Sequence, residues 1–132
     1  ADNQDAPTDL RARVATHLSE TEGHAEQVKQ CLHELGADTS SLKTVLAQSM
    51  EFMKGTGTAF AKDERIKDML ASYAMEHFEI ACYMALRAGA KEAGLTNVVV
   101  ICESILKDER RMANWLDEHL SATVTGYLRA TP

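Results

Sequence analysis

The chain has 132 residues, 45% hydrophobic and 26% charged, with a formal net charge of −6. That length allows one domain with a real core, and an acidic balance without a basic stripe argues against nucleic acid as a partner. The longest apolar run, "VVVIC" at 98–102, is far too short to span a membrane.

In chain order, residues 1–8 are a polar, Pro-containing lead-in. Thr8 stands before "DLRARV" as a helix N-cap does, so a first helix is predicted from there to Leu35, with Gly36 as its left-handed stop. A short helix is predicted from Ser40 or Ser41 to Gly55. "GTGT" at 55–58 is the clearest loop, and Thr58 or Asp63 caps a third helix that runs to about Glu92. Gly94 and Thr96 form a stop and restart, and the fourth helix continues to about Ala122 or a little beyond. The only prolines are Pro7 and Pro132, aromatics are 5%, and no alternating strand pattern occurs. The predicted class is all-α, with one helical domain over residues 9–128. Cys31, Cys82 and Cys102 are odd in number and lack CxxC spacing, so they read as reduced, buried residues of a cytoplasmic protein. No secretory leader is visible, and the chain begins at Ala1 without Met, as a processed, trimmed or partial chain does.

At about 100° per residue, the apolar stripe of each long helix can be located and its polar intruders named. In the first helix the stripe is Leu10, Val14, Leu18, Ala25, Val28, Leu32 and Leu35; His17, Thr21 and His24 fall inside it and Glu20 at its edge. The third helix has its stripe through Leu70, Tyr73, Ile80 and Met84, with Glu76 and His77 on or beside it and Glu79 flanking Glu76. In the fourth, Val98, Cys102, Ile105, Leu106, Ala113, Leu116 and Leu120 form the stripe. Glu109 lies close to its centre, while Glu103, Lys107, Asp108 and Arg110 point away.

Three helices thus each aim at least one carboxylate at the same core. Isolated buried carboxylates repel and take up protons; a cation removes the conflict, and carboxylate oxygen with imidazole nitrogen suits iron, manganese or zinc. Glu20-x-x-x-His24 and Glu76-x-x-Glu79 each place two donors on one face, one turn apart, as helical bundles that hold metals do. Blander roles exist for single residues. His17 and His77 read as hydrogen-bonded core residues, Glu20 as the partner of a neighbouring basic residue, and Glu109 as an ion-pair partner of Arg87. The six methionines read as core filler.

Three blocks, "HLSETEGHAEQVKQ" (17–30), "MEHFEIACYMALRAGAKEAGL" (75–95) and "ESILKDERRMANWL" (103–116), resemble the motif blocks of the YciF family of bacterial ferritin-like, stress-associated proteins. The likeness extends from Asp9 to about His119. It implies a ferritin-like bundle with a di-iron-type carboxylate site, and by position it assigns the metal ligands Glu20, His24, Glu76, Glu79 and Glu109. In that reading Glu76 or Glu79 bridges the metals, Glu20 and Glu109 are terminal ligands, His24 supplies nitrogen, and Tyr73 and Tyr83 stand close behind. The second block is also similar to the corresponding helix of rubrerythrins. Two departures follow. The family's opening helix, which carries a glutamate of its own, has no counterpart, so the resemblance implies three long helices, a short crossover helix at 40–54, and a bundle completed by association, most simply a homodimer or a swapped assembly. In addition, Met112 stands where the Glu-x-x-His of most di-iron sites would put histidine. The expected function is metal binding with iron oxidation or peroxide handling; the alternative is a non-catalytic helical interaction or structural module whose site has decayed.

Overall fold

A computed structural model describes residues 5–36 and 64–131, with side chains from Ala12 and from Arg65 onward in the two stretches. They form three helices: α1 (Asp5–Glu34), α2 (Glu64–Glu92) and α3 (Thr96–Ala130). Among the described residues there is no strand, so the molecule is an all-helical bundle. The predicted short helix at 40–54 lies outside the described residues.

Local chemistry sets the ends. α1 begins at Asp5, ahead of the Thr8 cap, which leaves Pro7 in the first turn where its missing N–H breaks no helical bond. It stops at Gly36, whose φ of +67° only glycine adopts readily; the Leu35 N–H donates to the Cys31 carbonyl at 3.1 Å and the Gly36 N–H to that of His33 at 3.0 Å. Gly94, at φ +72°, ends α2 in the same way, and the Leu95 N–H donates back to the Ala90 carbonyl at 2.8 Å. α3 runs well past the expected end near Ala122. The hydroxyls of Thr123, Thr125 and Thr131 bond to the carbonyls of His119, Ser121 and Tyr127 at 2.9, 3.0 and 2.9 Å, so these threonines satisfy their hydroxyls along the helix without ending it before Ala130.

The short link between α2 and α3 folds α3 back along α2. Ala90 packs with Val98 and Cys102 near the link, and Met69 packs with Met112 and Leu116 at the far end, as an antiparallel pair requires. α1 lies against α3, with Cys31 in the cluster of Ala90, Val98 and Cys102. Among the described residues the α1 and α2 backbones do not approach within 8 Å. They reach each other through side chains, as His17 and Glu76 do.

This layout leaves part of the predicted stripes uncovered. Val14 (42% exposed), Leu18 (58%) and Leu70 (51%) face outward, as do Leu35 and Met84. Among the described residues each outer helix has one close neighbour, which covers only the sector of the stripe turned towards it. Among the described residues no helix is long and apolar enough to cross a membrane.

Candidate metal centre

The site is built at mid-height of α3, where Glu109 falls in register with Cys102, Ile105, Leu106, Met112, Ala113 and Leu116, all buried. The helical period that carries these apolar side chains inward carries the carboxylate with them, leaving it 1% exposed. On α1, His17, His24 and Cys31 recur at seven-residue spacing on the buried meridian shared with Val28. On α2, Glu76 follows the buried Met69 by two turns, and half-buried Glu79 stands one turn further on.

Two imidazoles face these acids. His17 Nε2 is 2.7 Å from Glu76 Oε1 and 3.7 Å from Glu109 Oε2, while its Nδ1 meets Glu20 Oε2 at 3.2 Å. The Thr21 hydroxyl donates to the His17 carbonyl at 3.0 Å. His24 Nε2 is hydrogen-bonded to Asp108 Oδ2 at 2.9 Å. Its Nδ1 lies 2.8 Å from Glu109 Oε1 but off the direction of a hydrogen bond, and it has no hydrogen-bond partner among the described residues. Arg111 closes the outer side: its Nη2 donates to Asp108 Oδ1 at 2.9 Å, and its Nη1 is 3.7 Å from Glu20 Oε1. His17, Glu76, Glu79 and Glu109 each offer a donor atom, all four within 4.8 Å of one another. The buried Oε2 atoms of Glu76 and Glu109 have no hydrogen-bond partner among the described residues.

Proton affinities follow from this crowding. Burial pushes the His17 imidazolium down, but its bond to Glu76, the charges of Glu76 and Glu109 and its bond to Glu20 outweigh that and bring it up to about 9. For His24, burial is likewise overcome by Glu109 and Asp108, and its affinity rises. Burial first, then the neighbouring Glu109, pushes the Glu79 carboxyl up to about 7. Glu109 also rises: burial leads, His24 opposes it and Glu76 adds to it. The Tyr83 phenol is pushed up by burial and by the charges of Glu79 and Glu109, which places it beside the acids. Tyr73 is otherwise engaged, hydrogen-bonded to Asp117 and packed on the His77 ring at a centroid distance of 4.5 Å.

Of the five ligands expected from sequence, Glu76, Glu79 and Glu109 converge with one another. His24 borders the group through Glu109, and Glu20 stands behind His17, between it and Arg111. His17, read from sequence as a hydrogen-bonded core residue, is the nitrogen within the four-donor group; its seven-residue spacing to His24 was the available signal. Asp108, expected to point away, reaches back to His24. The alternative ion pair between Glu109 and Arg87 does not form among the described residues; the partners of Glu109 are imidazoles.

A helical bundle with carboxylates and imidazoles from three helices gathered in its interior defines the class. Within it, the chain belongs to the family described as a domain of unknown function (DUF892), whose model matches residues 1–129. It is also similar to a protein of known crystal structure from Xanthomonas campestris pv. campestris, at 34% identity and a TM-score of 0.74, covering 92% of this chain and 73% of that one.

Proposed function

We propose that the protein is a ferritin-like metal-binding protein of the stress-associated YciF type, which holds iron, or manganese or zinc, between its helices. The observation that carries this reading is the meeting of His17, Glu76, Glu79 and Glu109 within 4.8 Å, with two buried carboxylate oxygens that have no hydrogen-bond partner among the described residues. An unpaired buried carboxylate oxygen is costly, and a cation would satisfy both oxygens at once. The donor set, three carboxylates and an imidazole, fits hard to borderline divalent ions. Iron bound there would supply redox chemistry towards dioxygen or peroxide. The protein's own part would be to lend Glu76, Glu79 and Glu109 as oxygen donors, to present Nε2 of His17 and, beside the four-donor group, Nδ1 of His24, and to exclude bulk water from Glu109. Tyr83 would stand beside the acids with its proton held firmly.

A second reading rests on the same atoms. His17 and His24, both raised in proton affinity, neutralise Glu76 and Glu109 as imidazolium–carboxylate pairs, giving a polar structural core with no metal. Metal analysis decides between them. Protein produced in iron-supplemented medium and purified without chelator is compared with Glu109→Ala and His17→Ala. Metal in the wild type and its loss in both variants supports the first reading; equal content in all three supports the second.

Self-association belongs to the same proposal. α2 carries an exposed apolar stripe of Leu70, Ala74, Phe78, Ala81, Ala85 and Gly89, and a face of that extent is an association surface. It is self-complementary about a two-fold axis near residues 79 and 80. An antiparallel copy would set Leu70 against the partner's Gly89 and Phe78 against the partner's Ala81, large against small, with Ala74 against the partner's Ala85 between them. A homodimer is the assembly this pattern favours.

A further inference from the structure

Each imidazole of the centre has one nitrogen facing an inner acid and the other facing an outer one. His24 places Nδ1 2.8 Å from Glu109 Oε1 and Nε2 2.9 Å from Asp108 Oδ2. His17 places Nε2 2.7 Å from Glu76 Oε1 and Nδ1 3.2 Å from Glu20 Oε2. Arg111, itself 59% exposed, ties the two outer carboxylates together from α3 to α1. The two faces of His24 are unequal. Its bond to Asp108 is aligned, whereas its approach to Glu109 is off-axis and leaves Nδ1 without a hydrogen-bond partner among the described residues. A neutral imidazole carries one proton, and an aligned carboxylate acceptor holds it.

We infer that Asp108, held by Arg111, is a positioning residue that keeps the proton of neutral His24 on Nε2 and so turns the lone pair of Nδ1 towards Glu109 and the metal centre; Glu20 does the same for His17. The inference rests on the metal-binding reading but names residues outside the four-donor group. It assigns Glu20, expected from sequence as a ligand, the task of orienting one. Carboxylates behind a ligating histidine fix its tautomer and raise its donor strength, and their loss typically lowers metal affinity about 10- to 100-fold.

The test uses the full chain and zinc(II), a diamagnetic ion, with two readouts. Zinc affinity is measured by calorimetry for wild type, Asp108→Asn, Asp108→Ala and the exposed-charge control Glu103→Gln. The His24 tautomer is read in the metal-free proteins from ring 15N shifts, at a pH where the ring is neutral. The expected results are an Nε2–H tautomer in the wild type, a shift towards Nδ1–H in Asp108→Ala, affinity lowered about 10-fold or more in both Asp108 variants, and no change in Glu103→Gln. The conservative Asp108→Asn keeps the side-chain volume should the alanine variant fold poorly. Asp108 variants that bind as wild type does, or that lose affinity with the tautomer unmoved, overturn the inference. If the wild type binds no zinc, iron(II) or manganese(II), the metal reading has failed, and the ring shifts alone decide whether Asp108 sets the tautomer.

Discussion

Glu109 is almost wholly removed from water, yet its two oxygens lie 2.8 and 3.7 Å from different imidazole rings. A carboxylate so placed is costly unless paired, and in the metal-free protein protons supply the pairing. A group whose proton affinity rises on folding favours the fold when protonated. Its contribution is full below its unfolded pKa and is lost as pH climbs through its folded one. For Glu79, which moves from 4.5 to about 7, the loss falls in that interval; for His17, which moves from 6.5 to about 9, it falls higher. The metal-free protein is therefore expected to lose stability as pH rises from about 5 to 9, measured by urea denaturation across that range. Glu79→Gln should equal the wild type near pH 4 and exceed it at pH 8 by on the order of 1 kcal/mol, about 4 °C in Tm, while binding metal more weakly. Wild-type stability that climbs between pH 7 and 9, or a Gln variant less stable at pH 8, would count against this charge arrangement. A bound metal would take the place of these protons, so binding should release them and strengthen with pH.

At the scale of elements, α1 has the weakest hold. Its buried side chains among the described residues are His17, His24, Val28 and Cys31, so half of its anchors are imidazoles. α3, by contrast, buries a continuous apolar stripe from Val98 to Leu116. Local stability follows buried apolar contact, so amides of α1 should exchange with solvent faster than those of α3 in the metal-free protein. A metal held by donors from all three helices would bind only the assembled site. At 100 times its dissociation constant it should add about 2.7 kcal/mol, seen first as slowed exchange around His17 and His24. Uniform protection of all three helices, or none, would contradict this account of how α1 is held.

Much of this was legible beforehand, for identifiable reasons. Periodicity and the two glycine stops located α1, α2 and the start of α3, because those signals are local. The end of α3 was misjudged because threonine hydroxyls can bond along a helix as readily as break it. Glu109 stood out because a charge at the centre of an apolar stripe has no local explanation. His17 and Asp108 were harder. Whether a histidine on the stripe meets a carboxylate from another helix, and whether an acid beside the stripe curls back to an imidazole on α1, depends on how the helices cross.

For the molecule as a whole, uncovered apolar surface decides assembly. Phe78, 48% exposed at the middle of the α2 stripe, is the side chain a dimer would bury most. Sedimentation equilibrium at tens of micromolar should give twice the 14.5 kDa chain mass, and Phe78→Glu should return a monomer with unchanged helicity. A wild-type monomer at that concentration would exclude the dimer and leave the metal centre untouched. The centre itself is tested most directly by diffraction at the iron absorption edge from crystals grown with ferrous iron. The expected result is anomalous density between the helices, bonded to carboxylate oxygens of Glu76, Glu79 and Glu109, to Nε2 of His17 and to Nδ1 of His24. No peak, with His17 still paired to Glu76 and His24 still against Glu109, would show that protons alone hold these acids together.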